Sequence, residues 1–206
     1  FQQYGDSIPP MDRRMYVGVY TGLAFCCLGN GMIEEAGKII MEILPSYDPE
    51  PEGFGSLNRH HLAGEYYYIA GDYDKARRFF TDCIRISNSL NFPQGIVEAN
   101  VHLAAIQLFE RNVPGAIRIL KETIKLTYNL KRKFLYCEAA LLLVKCYDMA
   151  NLPDKASALE NRIRPLLNKL DIIWLYDKER EFEKLHQRLM GKNSTAEPKD
   201  KFIPGV

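Results

Sequence analysis

The sequence has no excess of charge of one sign and no long hydrophobic run. Its 206 residues carry 27 Lys and Arg against 26 Asp and Glu, which leaves a formal net charge of +1. Proteins that bind nucleic acid through charge alone have a larger basic excess, so we expect no direct nucleic-acid partner. Apolar runs such as the one at 139–144 are far shorter than the roughly 20 residues that cross a bilayer, so no membrane span is predicted.

The five cysteines follow no disulfide or metal-binding spacing. Cys26 and Cys27 are adjacent, Cys137 and Cys146 are nine apart, and Cys83 stands by itself, so none forms a C-x-x-C motif. Each lies in an apolar helical pattern, where a free thiol behaves as a small hydrophobic residue. The sequence therefore predicts buried thiols in a reducing compartment, and an intracellular location in the cytoplasm or nucleus.

The two ends of the chain differ from its middle. The chain begins without Met and without a basic-then-apolar leader, so we expect a fragment or processed chain in which residues 1–10 form an N-terminal segment. Residues 191–206 are polar and have no apolar periodicity, which predicts a disordered tail.

The middle of the chain repeats itself every 40 residues. Alanine recurs with this spacing at Ala36, Ala76, Ala116 and Ala156. Each alanine ends a six-residue stretch of turn character, and Leu or Ala stands thirteen residues before it. A register kept over four units indicates a repeat protein.

Each 40-residue unit reads as two helices. Apolar residues recur at helical spacing, and Gly, Asn and Pro interrupt them between the segments. We therefore predict an all-α chain with four repeats over 11–170. The register breaks after Leu170, and the apolar spacing of Leu175, Phe182, Leu185 and Leu189 predicts a capping helix over 171–190.

The repeat resembles the tetratricopeptide repeat (TPR) family. The clearest match is the stretch 62–80, where Leu62-Ala63-Gly64 is followed by Tyr67-Tyr68, by Gly71-Asp72-Tyr73-Asp74-Lys75-Ala76 and by Phe80. The family's usual unit has 34 residues, so each unit here carries about one extra helical turn or a longer connection. The resemblance implies a right-handed α-solenoid of four helical hairpins with a C-terminal capping helix.

The same resemblance implies a binding groove. In the family, the first helix of each unit lines a concave face, and carrying its positions onto this sequence predicts a largely apolar groove with acidic residues at its rim. Phe25, Tyr68, Leu108, Phe109 and Met149 would be apolar anchors, while the glutamates and Lys145 would set the register of the partner. The predicted groove residues are Phe25, Asn58, His61, Glu65, Tyr68, Glu98, His102, Leu108, Phe109, Glu138, Lys145 and Met149.

No pattern in the sequence indicates an enzyme. The four histidines include the neighbours His60 and His61, and His61 stands four residues before Glu65, but the H-E-x-x-H zinc motif is absent. No nucleophile elbow, phosphate-binding loop or kinase signature is present. We therefore expect no catalytic residues, no metal and no cofactor.

One known function of the family is disfavoured. Some members hold the acidic C-terminus of heat-shock chaperones with a clamp of Lys, Asn and Arg. The matching positions here lack those side chains in either register, and the second register contains two glutamates that would repel a carboxylate. The two sets are Thr21, Phe25, Leu62, Glu98 and His102, or His61, Glu65, His102, Glu138 and Leu142.

The sequence thus favours a non-enzymatic interaction scaffold or adaptor that binds a helical or extended partner segment, as a subunit of a larger complex. Two alternatives stay open. The order of the units is similar to the family of TPR subunits of the cohesin loader, through stretches such as Thr21-Gly-Leu-Ala24 and Ala139-Ala-Leu-Leu-Leu143. The chain could also be a peptide-sensing regulatory domain of a larger enzyme or transcription regulator.

Overall fold

The computed structural model describes residues 10–44, 53–170 and 173–189. These residues form nine α-helices and no strand, which confirms the all-α prediction for this part of the chain. The predicted tail at 191–206 and nearly all of the segment 1–10 lie outside the described residues. The helices are α1 Pro10–Gly29, α2 Ile33–Ile43, α3 Phe54–Ala70, α4 Tyr73–Ser89, α5 Pro93–Phe109, α6 Val113–Leu130, α7 Lys133–Met149, α8 Pro153–Leu170 and α9 Ile173–Leu189. None of these helices has the length and apolar character needed to cross a bilayer.

The turns inside the helix pairs repeat with the 40-residue spacing of the sequence. Gly31, Gly71, Arg111 and Asn151 all have left-handed backbone, with φ of 75°, 82°, 61° and 54°. In each turn the next residue's amide donates to a carbonyl five residues earlier, as Asp72 does to Tyr67 at 2.9 Å and Leu152 to Tyr147 at 2.9 Å. These bonds satisfy carbonyls at the end of the first helix and reverse the chain at the same point of every pair.

The helices contact one another in a regular order up to α8. Each helix from α1 to α7 packs against the next one in the chain, and the first helices of the pairs, α1, α3, α5 and α7, also pack against one another in sequence. The last helix departs from this order, because α9 packs mainly against α7, which is two helices back. The element predicted to cap the repeats therefore lies beside the first helices.

The repeated alanines are buried in every pair. Ala36, Ala76 and Ala116 are fully buried, and Ala156 is 4% exposed. One turn later along the second helix, Ile40, Phe80 and Leu120 are also fully buried, whereas Glu160 in the fourth pair is exposed. The helix that follows α8 packs against α7 and leaves Glu160 exposed to solvent. The Glu160 carboxylate forms an ion pair with Arg164 at 2.8 Å.

In the second pair a phenylalanine, Phe80, faces a glycine, Gly64. A Cβ atom placed on Gly64 of α3 would lie 2.8 Å from a ring carbon of Phe80, closer than real contacts allow. The first and third pairs have alanine at the equivalent position, Ala24 and Ala104, opposite the smaller Ile40 and Leu120. Glycine at position 64 therefore makes room for the phenylalanine ring.

The prediction for the cysteines is wrong at one position. All five are free thiols, and four of them are buried, but Cys26 is exposed. Val19 and Leu23 on α1 are exposed as well. Among the described residues no helix precedes α1 and packs against it, whereas α5 and α7 each pack against the helix before them.

We predict that Gly64→Ala lowers the free energy of unfolding by about 1–3 kcal/mol, because the added methyl group overpacks the contact with Phe80. In a Phe80→Leu background, which reproduces the third pair, the same substitution should cost clearly less. Urea denaturation of the four proteins of this double-mutant cycle measures the coupling.

The matched control is Gly22→Ala on α1, where nothing lies within 4 Å of the added Cβ atom. It should raise stability by up to about 1 kcal/mol, because alanine has the higher helix propensity. Equal effects of Gly64→Ala in the two backgrounds would contradict the size compensation.

Candidate partner-binding cavity

A cavity of about 410 Å³ lies between the first helices of the pairs and α9. Its volume is within the range of about 300–1,000 Å³ that small ligand pockets have. The wall combines carboxylates, imidazoles and aromatic rings. Seven of the twelve predicted groove residues line it, namely Phe25, Asn58, His61, Glu65, Glu98, His102 and Glu138.

A polar row in the wall follows from the repeat. Asn58, Glu98 and Glu138 are spaced by 40 residues and take the same place on α3, α5 and α7. Because these helices pack side by side, equivalent positions come together in the cavity. Exposure falls along the row, from exposed Asn58 through half-buried Glu98 to Glu138 at 1%.

Two histidines and a glutamate form the middle of the wall. Oε1 of Glu65 lies 3.7 Å from Nδ1 of His61 and 3.7 Å from Nε2 of His102. The two imidazole rings meet edge to face, with their centroids 5.5 Å apart. His102 also stacks on Phe80, with a centroid distance of 4.5 Å, so the wall is tied to the core of the second pair.

The contacts of His102 determine its tautomer. Its Nδ1 lies 3.0 Å from the carbonyl oxygen of Glu98, which can only accept, so Nδ1 carries the proton and donates. Burial, followed by the positive charge of Lys178, holds the pKa of His102 well below its usual value. The imidazole is therefore neutral, and its contact with Glu65 is not an ion pair.

A lysine from α9 closes the acidic side of the cavity. Lys178 is 4% exposed, lines the cavity and bonds to Glu181 at 3.1 Å. Burial lowers the pKa of its ammonium group, but the carboxylates of Glu181 and Glu138 outweigh that effect, so the pKa lies above its usual value. The lysine is therefore charged although it is buried.

Glu138 is an acid whose pKa the site strongly perturbs. Burial raises the pKa of its carboxyl group to about 8, Lys178 opposes this rise and Glu98 adds to it. Its Oε2 atom is buried and has no hydrogen-bond partner. Glu138 is therefore largely protonated at neutral pH.

The docking of α9 covers part of the surface that the sequence predicts to be a groove. Leu175, Phe182 and Leu185 of α9 are buried, and Lys145 of α7 forms an ion pair with Glu183 of α9. A second ion pair joins Arg164 of α8 to Glu179 at 2.7 Å. Lys145, predicted to orient a partner, is thus engaged by the chain itself.

The remaining predicted anchors do not line the cavity. Tyr68 is 3% exposed and Leu108 is fully buried, so neither offers a surface in this conformation. Phe109 is half-buried and stacks on Tyr73 at 4.7 Å, and Met149 packs against the core. These side chains support the helices around the cavity.

Lys178 is a cavity residue that the predicted groove does not include, as is Phe92. Lys178 lies in a run of alternating charges that is typical of a solvent-exposed face. One signal was available, since Leu175, Lys178, Phe182 and Leu185 share the apolar stripe of α9. When the apolar face of a helix packs against the rest of the protein, a lysine on that face is buried together with its charged group.

Within the described ranges, no three His, Cys, Asp or Glu side chains are placed so as to hold a metal ion. No protein-family model matches the chain. No curated protein is significantly similar to it.

We predict that, as pH rises from about 5 to about 8, the free energy of unfolding of the wild type decreases relative to that of Glu138→Gln. The folded carboxyl keeps its proton up to about pH 8, whereas an unfolded glutamate loses it near pH 4.3. The folded state therefore binds more protons over this interval, and its stability decreases as pH rises. Urea denaturation at several pH values should show the variant gaining on the order of 1–4 kcal/mol over wild type.

His102 makes the free energy of unfolding rise with pH, because its pKa is lowered in the folded chain. This effect is present in both the wild type and Glu138→Gln, so it cancels when the two are compared. Glu122→Gln removes an exposed glutamate of α6 and should follow the wild-type profile. A difference between Glu138→Gln and wild type that stays constant with pH would show that Glu138 titrates normally.

Proposed function

We propose that the chain is a non-enzymatic interaction scaffold that binds a segment of another protein at the cavity between its first helices. The observation that carries the proposal is the cavity itself, which is of ligand size and built from five helices. Aromatic rings and carboxylates in one wall supply apolar area together with polar groups that fix orientation.

The proposed architecture is a right-handed α-solenoid of four TPR-type hairpins. Two features support it. The left-handed turn residues recur every 40 residues, and each pair packs on the next through both its first and its second helix. In such a stack the first helices share one face, and that is the face on which the cavity opens.

The proposed site is shorter than a groove running along all four pairs. The α9 helix lies against α7 and engages Lys145, and the anchors Tyr68 and Leu108 are buried. The side chains that stay accessible at the cavity come mainly from α1 and α3, with Phe25 half-buried and Asn58 exposed. A partner would therefore enter over α1 and α3 and insert a few side chains.

The narrower proposals concern the setting of this scaffold. We propose an intracellular location in the cytoplasm or nucleus, which the five free thiols support. Membership of a larger complex, of the cohesin-loader kind or as a regulatory domain of an enzyme or transcription regulator, stays a prediction from the sequence.

We expect selection from a phage-displayed library of random twelve-residue peptides to yield sequences that bind the chain with micromolar Kd in fluorescence polarisation. Asn58→Arg places a long charged side chain at the exposed edge of the cavity and should weaken binding at least about tenfold, because it obstructs entry. Circular dichroism checks that the variant stays helical.

The matched control is Asn88→Arg, which makes the same change at an exposed position of α4, away from the cavity. It should leave the affinity unchanged. Failure to enrich any peptide, or equal weakening by the two variants, would contradict binding at the cavity.

A further inference from the structure

The cavity is an acidic pocket in a chain that has almost no net charge. Glu65, Glu98 and Glu138 line it, and Lys178 is the one lysine or arginine among its lining residues. Because the pocket is partly desolvated, charged groups interact more strongly there than on an exposed surface. The wall therefore favours a positively charged guest.

The carboxylates of the wall differ in how well they are satisfied. Glu98 accepts a hydrogen bond from Nε2 of Gln94 at 3.0 Å, whereas Oε1 of Glu65 lies 3.7 Å from one nitrogen of each of the two histidines, beyond hydrogen-bond distance. Oε2 of Glu138 has no hydrogen-bond partner, although its side chain is 99% buried in the cavity wall. An acceptor left in that state is costly, so a donor that reaches it gains more than an ordinary surface contact would. A cationic donor also favours the carboxylate over the protonated form that Glu138 has in the free chain, so Glu138 meets the guest as a carboxylate.

Lys178 shows that the cavity wall accommodates a buried ammonium group. Its ammonium group is buried beside Glu138 and Glu181, yet the cavity beside it keeps about 410 Å³ of open space. One cation of the chain itself thus occupies one side of the acidic cluster, and room is left for another from the side of α1 and α3.

The rest of the wall suits a long cationic side chain. Phe25 and Phe92 line the cavity, and His61 lies between Phe25 and His102 with ring distances of 6.3 and 5.5 Å. Aromatic faces pack against the methylene stem of lysine or arginine and attract its charged end. A carboxylate guest would instead meet Glu65 and Glu98, and the ammonium group of Lys178 already bonds to Glu181.

We propose that the cavity receives the side chain of a lysine or arginine from a partner protein segment, with Glu138 and Glu98 as acceptors and Phe25 and Phe92 as walls. This rests on the proposed function and names the chemistry of its ligand. The preference is opposite to that of a carboxylate clamp. Because the chain as a whole carries almost no net charge, the attraction for the basic residue would come from the glutamates of this one pocket.

The test uses the full chain and the random twelve-residue library. Selected peptides should share a lysine or arginine at one aligned position. Replacement of that residue by its neutral isostere, norleucine for lysine or citrulline for arginine, should weaken binding at least about tenfold, because a charge-assisted hydrogen bond is lost.

The glutamate variants assign the effect to the cavity. In Glu138→Gln, and in Glu98→Gln as a second variant, the ratio of affinities for the charged and the neutral peptide should fall to within about threefold, because a neutral acceptor no longer favours the charge. Glu122→Gln removes a glutamate that is exposed on α6 and should keep the wild-type ratio. Circular dichroism and the urea midpoint check that each variant is folded.

The failures are distinguishable. No enriched peptide would overturn both the proposed function and this inference. Enriched peptides without a common basic residue, or an unchanged affinity for the neutral peptide, would overturn this inference alone. Spermidine that binds as tightly as the peptide and displaces it would assign the pocket to free polyamines instead of a protein segment.

Discussion

The structure depends on the close approach of the two helices in each pair, which the small residues allow. The buried alanines at 36, 76, 116 and 156 let the second helix lie near its partner, and one turn later Ile40, Phe80 and Leu120 are buried as well. Where the filling side chain is largest, at Phe80, the facing residue shrinks to Gly64. A helix pair cannot bury its apolar face without a neighbour, so this contact and the stacking of pairs stabilise each other.

The cavity is a consequence of that stacking. Since the first helices repeat at constant spacing, residues 40 apart become neighbours, and this places Glu98 beside Glu138. Two like charges side by side in a low-dielectric wall are unfavourable unless one is protonated or a cation joins them. Both remedies are present, because the pKa of Glu138 is raised to about 8 and Lys178 enters from α9. The repeat thus brings together two carboxyl groups whose repulsion is relieved within the chain itself.

Much of the local structure could be predicted from the sequence, since helical periodicity and turn residues are local signals. The helix breaks, the repeated alanines and the row of Asn58, Glu98 and Glu138 were all readable at a spacing of 40. The exposure of individual side chains was less readable. The sequence predicts that Tyr68 and Leu108 line an open groove, but both are buried, and it predicts a buried thiol at Cys26, which is exposed. Exposure depends on which helix lies opposite, and a periodic pattern does not contain that information.

The sequence by itself determined that the described chain is helical, where its turns fall and which residues recur at equivalent places, because backbone sterics and apolar spacing act over a few residues. Only the tertiary structure decided where α9 docks. Its apolar stripe could have continued the order of the pairs by packing on α8, yet it packs mainly against α7 and brings Lys178 to the glutamates. That contact brings together residues more than 30 positions apart in sequence, such as Lys145 and Glu183, which meet only once the chain has folded.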